Sequence, residues 1–173
     1  AQNNAITVDG DVDVTGTLTL NDSAVVVGAL CAKTGSQITQ GSSGTLEITT
    51  GSNFGGASSY SFKNDDGTSD INLGGTLTIS GGQYFHSKTA PDGSSVINNL
   101  VWNGGSYWVG NITIGGTLVV NASKTMSPYG GSKDVIVTGN VTLNGILKGF
   151  PHGHADLDNM KFGSLTINSG GEY

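Results

Sequence analysis

Four side chains within seven residues carry the densest chemistry in this chain: His152, His154, Asp156 and Asp158, in the run PHGHADLD. Two imidazoles separated by one residue lie on the same side of an extended segment and can converge on a transition metal, with a carboxylate as a further ligand. His152, His154 and Asp156 are therefore the candidate metal ligands. The alternative is a polar surface loop, because short His tracts are only a compositional signal. Asp9, Asp11 and Asp13 alternate in VDGDVDV. On a strand they line one outward face, where calcium is the fitting ion. The same alternation arises when Val8, Val12 and Val14 must face inward and the residues between them must be polar, and that simpler reading is preferred. Asn64-Asp65-Asp66-Gly67 lacks the full calcium-loop spacing and the closing Glu, so it reads as a turn. Beyond these two metal readings no cofactor is expected.

Other residues carry weaker signals. Sequons begin at Asn21, Asn111, Asn121 and Asn140, where about three are expected by chance at this content of Asn, Ser and Thr. Glycosylation is permitted and not indicated. Trp102, Tyr107 and Trp108 form either an aromatic platform for a sugar or a plug for a core. The single Cys31 excludes an internal disulfide and reads as an inert, partly buried thiol. A polysaccharide-cleaving site needs acidic and basic groups clustered on one face. Arg is absent and the seven Lys are scattered. With no nucleophile elbow and no phosphate loop, the chain does not read as an enzyme.

The elements that must position these residues repeat every six positions from Ile6 to Gly35: ITVDGD, VDVTGT, LTLNDS, AVVVGA, LCAKTG. Ile6, Val12, Leu18, Ala24 and Leu30 hold the first place; Val8, Val14, Leu20, Val26 and Ala32 hold the third. Each hexad is a three-residue strand with two side chains on one face, followed by a corner. Such a triplet buries its apolar face only if copies of it stack, which is the mark of a β-solenoid. The hexads return as INLGGT-LTISGG, ITIGGT-LVVNAS and VIVTGN-VTLNGI, and a last strand falls at Leu165–Ile167. Glycine recurs before Leu in Gly16-Thr17-Leu18, Gly44-Thr45-Leu46, Gly75-Thr76-Leu77 and Gly116-Thr117-Leu118. A corner using positive φ would explain it. The spacing predicts one domain, 1–173, with regular hexads over 6–35 and loop insertions near 50–70, 81–95, 121–134 and 149–160. No segment has the apolar period of a helix.

Of the 173 residues 29 are Gly, only 12% are charged, and the net charge is −6. Nucleic acid is not an expected partner, since its recognition needs a basic surface. No apolar run is long enough for a membrane span. Much Ser, Thr, Asn and Gly with little charge suits an extracellular or cell-surface setting, and Ala1-Gln2 reads as the start of a processed chain.

Triplet strands at six-residue spacing resemble two solenoid groups. The hexapeptide-repeat acyltransferases have one aliphatic per hexad, whereas two apolar places occur here. Gly74-Gly75-Thr76-Leu77-Thr78-Ile79 and Gly115-Gly116-Thr117-Leu118-Val119-Val120, with long loops between rungs, look more like the right-handed parallel β-helix of autotransporter-type surface passengers and bactofilins. The resemblance is architectural and implies a fold: all-β, a right-handed parallel β-helix with inserted loops. The Thr-x-Thr runs at Thr15/Thr17/Thr19 and Thr76/Thr78 are similar to ice-binding β-helices, but Glu47 and Val119 break the ladder.

A solenoid presents open strand edges at both ends unless capped, and no capping helix is evident. The expected function is a structural, self-assembling filament or adhesive cell-surface fibre subunit. It would join head to tail through Ile6, Val8, Val12 and Val14 at one end and Leu165 and Ile167 at the other, with itself as partner. The alternative is a carbohydrate-binding or polysaccharide-cleaving β-helix whose partner is a surface polysaccharide. An ice-binding protein ranks third.

Overall fold

A computed structural model describes residues 5–54, 58–64, 69–86, 96–105, 107–109, 112–128, 135–149 and 160–173. The alternation of apolar and polar side chains in the first hexads produces short strands, and the small residues between them produce corners. β1 (Ile6–Val8) turns through Asp9-Gly10-Asp11 into β2 (Val12–Val14), and a second corner leads to β3 (Thr17–Thr19). β4 (Ala24–Val27) then lies parallel on β1, β5 (Leu30–Ala32) on β2, and β6 (Gln37–Gln40) on β3. Three columns of stacked strands result. β7 (Thr45–Ile48) extends the first column and β8 (Tyr60–Asn64) the second, while β9 (Asp70–Ile79) passes from the third column into the first.

The circuit repeats through β10 (Tyr84–His86), β11 (Val96–Trp102), β12 (Tyr107–Val109), β13 (Ile112–Ile114) and β14 (Leu118–Val120). It closes with β15 (Thr125–Pro128), β16 (Val135–Leu143), β17 (Ile146–Leu147) and β18 (Met160–Ile167). The second column is a seven-stranded sheet; the first and third merge into an eleven-stranded sheet, because β9, β11, β16 and β18 each contribute to both. Pairing between these strands is parallel throughout, and no helix occurs among the described residues. The protein is all-β with parallel sheets.

Register sets the core. Down the first column Ile6, Val25, Leu46, Leu77, Leu100, Leu118, Val141 and Leu165 are aligned partner by partner. Those from Val25 to Val141 are buried. Burying each such side chain stabilises by roughly 1.5–3 kcal/mol before entropy is counted. Phe62, Phe85, Trp102 and Trp108 fill the wider rungs: the Phe62 and Phe85 rings lie 5.6 Å apart, and Phe85 meets Trp102 edge-on at 6.1 Å. Both Trp are fully buried, so the sugar platform read from Trp102 and Trp108 is corrected: they are core. The Trp102 Nε1–H donates to the Thr125 carbonyl at 3.1 Å, which satisfies its polar atom inside.

Three other expectations change. In β4 the inward residues are Val25 and Val27, not Ala24 and Val26. The corner before β4 holds one extra residue, accommodated by Asn21 at φ +46°, and the Gly28-Ala29 corner restores the frame at Leu30. The intervals read as insertions contain β8, β10 and β15, whose apolar residues belong to the common core. At Gly44, Gly75 and Gly116 glycine before Leu is needed for closeness and not for positive φ: a Cβ on Gly75 would run into the Gly44 carbonyl one rung below, whereas Gly16, on the first rung, has open space at its Cβ position.

Candidate functional site

The most distinctive surface feature is the pair of column ends. Interior positions of the first column are shielded above and below by the neighbouring rung. Ile6 and Val8 have a rung on one side only and remain 48% and 39% exposed; Leu165 and Ile167, at the other end, remain 40% and 50% exposed. They continue the same inward columns, since Val141 aligns with Leu165 and Leu143 with Ile167. Backbone groups on the outer edges follow the same logic: β1 pairs only with β4, and β18 only with β16, among the described residues. An edge of this kind is a template for another strand.

The expected assembly residues divide by exposure. Val12 is half-buried against the core, and Val14 is buried. Of the expected assembly residues the structure thus leaves Ile6, Val8, Leu165 and Ile167 exposed. Sequence reasoning passed over Met160, Lys161 and Phe162. They extend β18 to eight residues and cap the third column, where Phe162 meets the Tyr173 ring edge-on at 5.8 Å. Their signal was an apolar-x-apolar triplet that sat beside a charged, His-containing run and did not stand out from it.

The chemical candidates fare differently. His152, His154, Asp156 and Asp158 lie outside the described residues, as does Asn111. Among the described residues no three His, Cys, Asp or Glu side chains are grouped to hold a metal ion. Asp13 instead meets Lys33, Oδ1 to Nζ at 3.6 Å. Two sequon amides are engaged within the fold. Asn121 Nδ2 donates to Asn103 Oδ1 at 3.1 Å, and Asn140 Nδ2 donates to Thr142 Oγ1 at 2.9 Å while its Oδ1 accepts from Ser164. Asn21 is exposed on its corner. Cys31, expected partly buried, is fully buried.

The outward faces are mixed. The first column reads Thr7, Val26, Glu47, Thr78, Val101, Val119, Thr142 and Thr166 along its outside. That row is no continuous threonine ladder. No described helix is long and apolar enough to cross a membrane.

No protein-family model matches this chain, and neither the curated proteins nor the solved structures contain a match.

Proposed function

We propose that this chain is a structural β-solenoid, a right-handed parallel β-helix, that works as the subunit of an extracellular or cell-surface fibre. The observation that carries the reading is the matched exposure of Ile6 and Val8 at one end and Leu165 and Ile167 at the other, in the same two inward columns. A second copy placed on β18 sets its Ile6 over Leu165, its Thr7 over Thr166 and its Val8 over Ile167. That register repeats the one by which every interior rung of the first column meets the next. Backbone hydrogen bonds and the apolar core then continue across the joint. The contact is heterologous, so it leaves the far end of each copy open and propagates. Low charge supports the same reading, because edge strands that must stay single are usually protected by charges. The low-charge, Ser/Thr/Gly-rich composition supports the setting outside the cell.

The test uses two variants at exposed positions, Ile6→Lys and Ile167→Lys, each of which spoils one end. Electron microscopy of the parent should show filaments, and each variant alone should show none while keeping its β-rich circular dichroism. Mixed in equal amounts, the two variants retain one intact pair of ends between them and should stop at a dimer. A parent that stays monomeric at high concentration, or variants that polymerise like the parent, would overturn the proposal.

A further inference from the structure

Lysine is scarce in this chain, seven residues against thirteen carboxylates, yet two lysines border one recess. The recess measures 370 Å³ and is lined by Gly105, Tyr107, Ser123, Lys124, Thr125, Ser127 and Lys148. That volume lies in the lower range for small-ligand sites. It opens on the outside of the second column, among β12, β15 and the residue after β17. Among the described residues no carboxylate lines it, and neither Lys124 nor Lys148 takes part in an ion pair.

The outward row of this column explains the shape. Tyr60, Tyr84 and Tyr107 follow one another on successive rungs, with ring centroids 5.6 and 5.5 Å apart. The strand partner of Tyr107 on the next rung is Ser127, so a small side chain stands where the row has carried rings. Lys148 lies one residue beyond the Met126–Leu147 pair of the following rung, and Lys124 sits on the corner before β15. The recess is therefore bordered by an aromatic residue, by the hydroxyl-bearing Ser123, Thr125 and Ser127, and by two lysines.

We infer that this recess binds an acidic pyranose, a hexuronate unit of a polysaccharide chain. The C–H face of a sugar ring packs on an aromatic ring, its hydroxyls exchange hydrogen bonds with serine and threonine, and its carboxylate takes charge-assisted hydrogen bonds from lysine. The site lies on the outward flank of the second column, beside its last strand β17, whereas the proposed stacking residues Ile6, Val8, Leu165 and Ile167 belong to the first column, so binding and assembly can be assayed separately on one subunit.

Calorimetric titration with an oligogalacturonate, and with the same oligosaccharide as its methyl ester, tests the inference. The acid should bind, and the ester at least about tenfold more weakly, because the charge-assisted contacts are lost. Lys148→Gln changes an exposed side chain and should weaken the acid by a similar factor, as should Lys124→Gln. Ser127→Tyr restores a ring to the row and should abolish binding with thermal unfolding unchanged. The Ile6→Lys subunit should bind like the parent, which separates this result from that of the assembly experiment. Absence of binding by the acid, equal binding of the ester, or lysine variants that bind like the parent would overturn it.

Discussion

A Cβ placed on Gly28 would lie 2.7 Å from the carbonyl oxygen of Gly10 in the rung beneath. The corner after the first column repeats this relationship: a Cβ on Gly81, Gly104, Gly145 or Gly171 would collide with the backbone carbonyl of Thr49, Ser80, Asn121 or Leu143 respectively. Glycine here is the condition for rungs to approach to strand spacing. Among these corner glycines Gly10 differs, since nothing lies within 4 Å of its Cβ position and its φ is not in the left-handed region. A neighbouring copy beneath it would give Gly10 the role that Gly28 has. Gly28→Ala should destabilise the subunit by about 1–3 kcal/mol through overpacking. Gly10→Ala should leave subunit stability unchanged or raise it by less than about 1 kcal/mol, while slowing or preventing filament growth. Denaturant unfolding beside a sedimentation assay reads both. Filaments of Gly10→Ala that form at the parental rate would remove this argument for the joint.

Leu77 stands between Leu46 and Leu100 in the first column and is fully buried. Leu77→Asp puts an unpaired carboxylate between two leucine layers and should cost several kcal/mol. Leu77→Ala, which only opens a cavity, should cost about 2–5 kcal/mol. Thr78→Asp, one residue along and facing outward, should cost far less. If thermal unfolding ranks Thr78→Asp as the most damaging of the three, the register is wrong.

The first three strands were legible because their corners are short and hold the six-residue period. The period fails wherever a corner changes length, and the sequence carries little sign of which residue absorbs the change. Asn21, at positive φ, is such a residue, and missing it shifted the expected inward face of β4 by one. Beyond Thr50 the second column trades aliphatic triplets for Phe62, Phe85 and Trp108, so its strands look like aromatic loops. The apolar triplets near both ends of the chain were legible as strands. Their exposure was not, since it depends on how many rungs lie above and below. The lysine recess was invisible in sequence: Tyr107, Lys124 and Lys148 are brought together only by stacking three successive rungs of the second column.

Cys31 is flanked by Leu30 and Ala32, and all three are buried. A thiol reagent can reach it only when the fold opens locally, so native labelling should be slow and should accelerate through the unfolding transition. For the same reason copies should not be joined by a disulfide through Cys31, and filaments should be unaffected by reductant. Rapid stoichiometric labelling of the folded protein would show that β5 is not where the structure places it.

Salt provides a separate handle on what holds rungs and copies together. Among the described residues the ion pair is Lys33 with Asp13, at 3.6 Å, with the side chains 31% and 54% exposed. A pair so exposed contributes no more than about 1 kcal/mol, and less once salt screens it. Asp13→Asn should therefore shift the stability of the subunit by under about 1 kcal/mol. The proposed joint sets Ile6 and Val8 on Leu165 and Ile167 and extends backbone hydrogen bonding, neither of which needs opposite charges. Apolar contacts gain or hold their strength as salt rises, whereas a joint built on ion pairs dissolves as its charges are screened. Filaments should then persist in about 1 M sodium chloride, and sulfate should favour them further. Disassembly at that salt concentration, with the subunit still folded by circular dichroism, would show that charged groups and not the end strands carry the contact.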